Sequence, residues 1–313
     1  MTITRNLQLA FRFVLNVSRF NAVWLHHIQP LTLVIPSDHP LRRRLIRRMR
    51  QHTRVIAAFF GPAIFDLFDE PMSNDQRRLL GIIGSCIPAF DMCFDDNLIG
   101  IGRLKSLVQQ PFDFKPESGT EQLAAVLYSS LVQGVCQPNL LRSLTDTMFE
   151  TEEKSRLQLS DETDFDTIRN ITCKKGGTGG LFFTVTLPRQ LSVAEQQAFY
   201  LLGSWVQLVD DLFDLRDDVL NGIRTPVTDC RDITTLSLLL ARWQEKAFDA
   251  VGSLALPTPN KQRFLAGFIL YGKMAHRYLL QVGQQIGKEP LRNFAKVSIA
   301  EAEPSGAWKT LFD

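Results

Sequence analysis

Several aspartates between residues 207 and 218 recur at a spacing that could bring their carboxylates together in a binding or catalytic site. Asp210, Asp214 and Asp218 stand four residues apart, so on a helix they share one face. Neither Asp210 nor Asp214 is followed three or four residues later by Lys or Arg, although each like-charge pair at this spacing costs roughly 0.2–0.5 kcal/mol. Their neighbours are mostly apolar, which makes unpaired charge costlier. We call these three residues the aspartate ladder and expect a cation to compensate them.

A second acidic cluster stands earlier in the chain. Asp91 and Asp95 are again four residues apart, Asp96 follows, and Phe90 and Phe94 flank them. Carboxylate oxygens favour hard cations, above all Mg²⁺, which often shares its coordination shell with substrate phosphates. Together the two clusters predict a site that holds a diphosphate through metal ions. The alternative is that one or both are ordinary solvent-facing aspartates. A di-iron site is disfavoured because the sequence has no Glu-x-x-His pair.

Long helices are predicted to position both clusters. Ser192 and Glu195 have the pattern of a capping box that starts a helix continuing as far as Gly222. The aspartate ladder lies near the C-terminal end of that helix. Ser73 is predicted to start the helix that carries the second cluster, with a kink at Pro88.

Helices are also expected through most of the remaining chain, because strand signals are nearly absent. Ser37 to Pro40 has the pattern of a cap that opens a helix toward Phe60. Other predicted helices lie near residues 119–134, 138–158, 163–187, 231–252 and 259–286. Short linkers and the lack of internal repeats favour one all-α domain over residues 1–313, with an N-terminal helical segment at 1–36 and a tail or lid at 302–313.

The composition is typical of a folded protein with a large apolar interior. Of the 313 residues 45% are hydrophobic, which excludes a disordered or fibrous chain, and 22 are Phe. A net charge of +2 gives no reason to expect nucleic acid as a partner, although the segment from Arg42 to Arg54 is strongly basic. We interpret that segment as a solvated helix face, with docking on an acidic membrane or protein partner as the alternative.

The cysteines and the N-terminal sequence indicate a cytoplasmic protein. The five cysteines have an odd total and no Cys-x-x-Cys spacing, which is typical of a reducing compartment. Between residues 7 and 24 the apolar residues are interrupted by Arg12, Asn16 and Arg19, which disfavours a signal peptide or a membrane span. We therefore expect a cytoplasmic location.

The aspartate motifs resemble those of the isoprenoid synthase superfamily. Gln207 followed by Asp210-Asp211-Leu-Phe-Asp214 is similar to the second aspartate motif of trans-prenyl diphosphate synthases. The longer stretch from Leu202 to Asp218 is similar to the pattern of squalene and phytoene synthases. The resemblance implies a class I terpenoid synthase fold, a single-domain helical bundle around a central active-site cavity. It also implies a prenyl diphosphate substrate and up to three Mg²⁺ ions, or Mn²⁺ in their place.

Two further segments share this resemblance. The segment from Cys173 to Gly180 holds Lys174, Lys175 and several glycines, and falls where these families have a broken helix and a cation that senses diphosphate. Arg277-Tyr278 is similar to the pair with which terpene cyclases grip diphosphate oxygens. The alternatives are an ordinary helix break and a chance match of two residues.

The resemblance assigns three kinds of site residue. The expected metal ligands are Asp91, Asp95, Asp96, Asp210, Asp211, Asp214 and Asp218. The residues expected to act in catalysis are Asp95, Asp96, Asp210, Asp214, Lys174, Arg277 and Tyr278. The residues expected to contact the substrate are Lys174, Lys175, Gln207, Arg277, Tyr278, Phe90, Phe94 and Phe182. For each Phe, ordinary core packing is the alternative.

The expected activity is that of a Mg²⁺-dependent class I terpene synthase, which ionises an allylic prenyl diphosphate, cyclises or rearranges the carbocation and releases diphosphate. Elongating prenyl synthases differ, because the first motif here reads Asp95-Asp96-Asn-Leu-Ile-Gly100 and no Gly-Lys-x-Arg segment stands near the N-terminus. The alternatives are a prenyltransferase that elongates a chain or couples two prenyl diphosphates, and a non-catalytic helical binding protein. A monomer or homodimer is expected, with peripheral membrane contact through a hydrophobic product.

Overall fold

A computed structural model describes residues 15–95, 98–286 and 291, with Asp95 described by its backbone alone. In these ranges all regular secondary structure is helical and no strand forms. The all-α prediction is therefore confirmed for the described residues.

The α-helices of the described ranges follow one another with short connections. In chain order they are α1 (Arg42–Val55), α2 (Gly61–Phe68), α3 (Asn74–Asp95), α4 (Ile101–Gln109), α5 (Gly119–Gly134), α6 (Pro138–Ser155), α7 (Phe165–Phe182), α8 (Val193–Phe213), α9 (Leu215–Asn221), α10 (Ile233–Gly252) and α11 (Thr258–Ile286). Tighter or wider helical turns lie at Trp24–Ile28, Gln29–Val34, Ile56–Phe60, Arg156–Leu159 and Phe183–Thr186. Residues 15–23 are also α-helical.

Two helices start where their capping signals predict. Ser192 Oγ accepts a hydrogen bond from the N–H of Glu195, and the Glu195 carboxylate accepts one from the N–H of Ser192, which completes the capping box of α8. Ser73 and Gln76 exchange the same pair of hydrogen bonds before α3. Side-chain caps therefore fix the starts of the two helices that carry the acidic clusters.

The helix predicted between Ser37 and Phe60 differs from its prediction at both ends. Ser37 to Pro40 does not cap it, because the N–H groups of His39 and Arg42 form turns on the carbonyls of Pro36 and His39. The α-helix begins only at Arg42, without a side-chain cap. At the other end it gives way to the wider turn at Ile56–Phe60.

The chain divides into two compact units. The first contains residues 1–146 and 182–190, and the second contains residues 147–181 and 191–313. This division leaves the prediction of one domain open, and the predicted tail or lid at the C-terminus lies outside the described residues. None of the helices in the described ranges combines the length and the apolar character needed to cross a membrane. The cytoplasmic location stays a prediction.

In the first unit, two segments pack against the same face of α3. A Cβ added to Gly84 would lie 2.6 Å from the Cα of Thr53 in α1, and the Thr53 hydroxyl oxygen is 2.8 Å from that of Ser85. One turn earlier, a Cβ on Gly81 would lie 2.7 Å from Cγ1 of Val23. The absence of side chains at both glycines therefore lets α1 and the N-terminal helical segment approach α3 closely, side by side.

In the second unit, α7 crosses α8 where three glycines meet. A Cβ on Gly180 would lie 2.5 Å from the carbonyl oxygen of Phe199 and 3.0 Å from the Cα of Gly203, and a Cβ on Gly176 would overlap the Gly203 carbonyl. The two backbones approach this closely only because no side chain separates them. The α7 helix runs through its glycines without interruption, so the break predicted between Cys173 and Gly180 is wrong. These glycines serve helix packing.

The glycine crossing predicts opposite effects for two neighbouring substitutions. Gly180→Ala should lower the free energy of unfolding by about 1–3 kcal/mol, because its methyl group forces two backbones apart. Gly179→Ala is the matched control, since its Cβ would meet nothing within 4 Å, and it should raise the free energy of unfolding by roughly 0.5–1 kcal/mol. Denaturant unfolding followed by circular dichroism measures both. Equal effects at the two positions would contradict the close crossing.

Candidate functional site

The aspartate ladder lies where α8 passes into α9 in the second unit. Asp214 separates the two helices with φ −89° and ψ 1°, so the single predicted helix is interrupted at this residue. The N–H of Asp214 nevertheless donates to the Asp210 carbonyl, and the N–H of Asp218 donates to the Asp214 carbonyl, both at 2.9 Å. The helical repeat therefore continues through the ladder. Asp is favoured at helix starts over helix interiors, which is consistent with an interruption here.

Tyr271 of α11 holds the first carboxylate of the ladder. Its hydroxyl donates a hydrogen bond to Oδ1 of Asp210. The Tyr271 ring is buried and meets Trp205 at 5.8 Å and Phe213 at 5.9 Å between centroids, both edge to face. Burial and the charge of Asp210 raise the pKa of Tyr271 well above its ordinary value, so the hydroxyl stays a donor. Aromatic packing thus fixes the orientation of a ladder carboxylate.

Asp211 is turned toward α7. Its side chain is buried, and its two oxygens accept hydrogen bonds from Nε2 of Gln207 at 3.0 Å and from the hydroxyl of Thr172 at 3.3 Å. Gln207, predicted to contact the substrate, donates here to Asp211. Both Asp211 oxygens are engaged by the protein, so its predicted role as a metal ligand has less geometric support than that of the ladder.

Desolvation makes the carboxyl groups at this end of the unit unusually weak acids. Desolvation is the largest cause and mutual repulsion adds to it, and together they raise the pKa values of Asp210, Asp211 and Asp218 to about 7. The Asp210 side chain is exposed at the surface, although neighbouring protein atoms still desolvate its carboxylate. Asp214, the second carboxylate of the ladder, is also exposed. A bound cation would favour the ionised form of all of them.

The structure distinguishes the two predicted lysines of α7. Lys175 Nζ lies 2.5 Å from Oε1 of Glu152 in α6, and its charge also lowers the pKa values of Asp211 and Asp218. Lys174 Nζ forms a longer, more exposed pair with Glu150, at 3.4 Å. Of the two lysines, Lys175 is therefore the one whose charge acts on Asp211 and Asp218.

Arg277 and Tyr278 of α11, predicted to act as a pair, lie in different surroundings. The Tyr278 ring is buried, 5.5 Å from that of Phe213, and burial followed by the charge of Asp214 raises its pKa to about 12. Arg277 is exposed, and within the described part of the chain it forms no hydrogen bond or ion pair with the aspartates. Of the two, Tyr278 lies beside the ladder.

The second acidic cluster belongs to the first unit. Asp91 is half-buried on α3, whose last residue is Asp95, and Asp96 lies outside the described residues. Phe90 packs edge to face on Tyr128 at 6.0 Å, which is ordinary core packing. Phe94 is half-buried and Phe182 is buried. The joint site of the two acidic clusters stays a prediction.

The donor chemistry of the ladder fits a hard cation, because every candidate ligand is a carboxylate oxygen. The same carboxylates are desolvated and repel one another, which a bound cation would relieve. Within the described residues, however, no three His, Cys, Asp or Glu side chains are grouped closely enough to hold a metal ion. Asp95 and Asp96, two of the predicted ligands, fall outside that search. The ladder therefore supplies suitable donors without a preformed three-ligand site.

No protein-family model and no curated protein matches this chain. The family assignment therefore rests on the resemblance of the motifs alone.

Three residues of this site were not predicted from the sequence: Glu152, Thr172 and Tyr271. A signal for Tyr271 exists, because the chain has only four Tyr and two of them, Tyr271 and Tyr278, stand seven residues apart on one helix face. For Glu152 and Thr172 no sequence signal is apparent, since both meet their partners through the packing of separate helices.

The buried charge of Asp211 predicts a pH-dependent gain in stability on its removal. The folded protein holds the proton of Asp211 up to about pH 7, whereas the unfolded chain loses it near 3.8, so ionisation favours unfolding increasingly as the pH rises between these values. Asp211→Asn removes the charge, and its amide can still accept from Gln207 through oxygen and donate to the hydroxyl oxygen of Thr172 through nitrogen. Its free energy of unfolding should exceed that of the wild type at pH 8 by about 2–4 kcal/mol, and the gain should shrink toward pH 4.

Denaturant titrations at several pH values measure this difference. Asp217→Asn is the matched control, because it removes an exposed carboxylate from the neighbouring helix and should show no comparable gain. A variant Asp211→Asn that is less stable than the wild type at pH 8 would contradict the assignment of an unfavourable buried charge.

Proposed function

We propose that this chain is a class I terpene synthase that ionises an allylic prenyl diphosphate and cyclises or rearranges the resulting carbocation. The observation that carries the proposal is the aspartate ladder, a helical row of carboxylates near an adjacent lysine and with pKa values raised to about 7 at Asp210 and Asp218. Structural proteins do not benefit from such a row, whereas a site for cations and diphosphate requires one. The all-helical architecture of the described residues is consistent with the helical bundle that this proposal requires.

Asp210, Asp214 and Asp218 would hold Mg²⁺ in this proposal, with Asp91, Asp95 and Asp96 as the counterpart cluster that the resemblance implies. When bound, Mg²⁺ neutralises negative charge that develops on the leaving diphosphate. Asp210 and Asp214 are both exposed, and Asp210 is already oriented by Tyr271.

The chain's own residues supply the remaining functions. The C–O bond of the substrate breaks with both electrons on the diphosphate oxygen, and Lys175 stabilises that charge directly. Tyr278 and Phe213 present aromatic rings beside Asp214, and a ring face stabilises a carbocation without acting as a strong nucleophile. Loss of a proton from the carbocation, or addition of water followed by loss of a proton, then gives the neutral product.

Turnover should depend on the charge of the ladder. Asp210→Asn and Asp214→Asn each preserve size and should reduce product formation roughly 100-fold or more, because a charged group that acts in the transition state is lost. The assay incubates the protein with Mg²⁺ and geranyl, farnesyl or geranylgeranyl diphosphate singly, and measures diphosphate release and products by mass spectrometry. Asp217→Asn, an exposed neighbour, is the control and should stay active.

The same assay separates the alternatives. Product that forms only when a second prenyl diphosphate is added would identify a prenyltransferase. A folded wild-type protein that releases no diphosphate from any of these substrates would leave a non-catalytic binding protein. Full activity in Asp210→Asn and Asp214→Asn would overturn the site assignment.

The two lysines of α7 offer a second, independent test. Lys175→Gln should lower kcat/KM about 100-fold, because its charge acts on Asp211 and Asp218 and on a diphosphate held there. Lys174→Gln should change it less than about threefold, since an exposed pair with Glu150 contributes little. Lys175→Arg keeps the charge and should retain more activity than Lys175→Gln. Equal losses in Lys174→Gln and Lys175→Gln would contradict the distinction between the two lysines.

A further inference from the structure

The first unit carries a row of exposed arginines on the outer face of α1. Arg43, Arg47 and Arg50 stand at i, i+4 and i+7, so they lie on one face of the helix, and all three are exposed. We call these three residues the arginine stripe. The opposite face, made by Leu45 and Met49, is buried. The orientation of α1 is therefore fixed, and the stripe points to solvent.

The charge of the stripe is not neutralised by its own helix. The segment Arg42–Val55 contains no Asp or Glu, and no described carboxylate pairs with Arg43, Arg47 or Arg50. Like charges one turn apart repel each other on a helix, so the stripe is unfavourable in water. An anionic surface laid against it would remove that repulsion.

Exposed leucines lie on the segment beside α1. Leu25 is 56% exposed and Leu33 is 70% exposed, both in the helical turns that precede α1. These turns and α1 pack on α3 at neighbouring glycines, and Nε of Arg42 donates to the carbonyl of Ile35, two residues after Leu33, at 3.2 Å. The start of α1, where the stripe begins at Arg43, therefore lies beside the segment that carries Leu33.

We propose that this region docks the protein on an anionic phospholipid bilayer. The arginine stripe meets the lipid phosphates, and Leu25 and Leu33 enter the interface between headgroups and acyl chains. The leucines favour a bilayer over nucleic acid, because a bilayer has a continuous apolar layer beneath its negative charge. This inference does not depend on the proposed enzymatic activity.

Sedimentation with lipid vesicles tests the proposal on the full chain. The wild type should bind vesicles of phosphatidylcholine mixed with phosphatidylglycerol, should bind vesicles of phosphatidylcholine alone weakly, and should lose binding as salt is raised. The triple variant Arg43→Gln, Arg47→Gln, Arg50→Gln should bind the anionic vesicles roughly 100-fold more weakly, by a factor of about five for each arginine lost. Leu33→Ser should bind a few-fold more weakly.

The matched control removes the same charge from the second unit. Arg231→Gln, Arg242→Gln, Lys273→Gln alters three exposed cations and should bind anionic vesicles like the wild type. Arg43→Lys, Arg47→Lys, Arg50→Lys keeps the charge and should also retain binding, which separates loss of charge from misfolding. Equal binding to neutral and anionic vesicles would overturn the proposal. So would equal losses in the two Gln triples, or stripe-dependent binding to an oligonucleotide with none to vesicles.

Discussion

Negative charge that no adjacent cation fully compensates lies where α8 meets α9, and it constrains how the second unit packs. Four carboxylates, Asp210, Asp211, Asp214 and Asp218, stand within three turns of helix, and desolvation by the surrounding protein raises the pKa values of three of them. The side chains that form hydrogen bonds with them are mainly neutral donors. A tyrosine of α11, a glutamine of α8 and a threonine of α7 orient the carboxylates without cancelling their charge. The arrangement leaves the negative charge available to an incoming cation.

The helix crossing at the glycines explains how these donors come together. Because the backbones of α7 and α8 are in contact, the Thr172 hydroxyl of α7 reaches Asp211 of α8. For the same reason the charge of Lys175 acts on Asp218 of α9. With ordinary side chains at the crossing, the helices would be separated further and the short hydroxyl of Thr172 would not reach Asp211. The crossing and the charge pattern are therefore two parts of the same local structure.

The sequence predicts the helices more completely than the site. The capping box at Ser192 and the helix at 119–134 are confirmed because their determinants are local. The glycine segment of α7 is wrongly predicted to be a helix break. The sequence alone does not show that the backbone of another helix packs directly against these glycines. The choice of Lys175 over Lys174 and the contact of Tyr271 with Asp210 depend on where separate helices cross, which spacing along one helix does not encode. The ladder itself is predictable because its geometry lies within eight residues of chain.

Gly176, Gly180 and Gly203 also limit how this sequence can change over time. Each faces the backbone of the opposite helix, so a larger residue at any one of them requires both helices to move. Such a movement would carry Thr172 and Lys175 away from the aspartates together. The three positions are therefore under one shared constraint, because a larger residue at any of them displaces the same two helices, while Gly179 in the same run is outside that constraint.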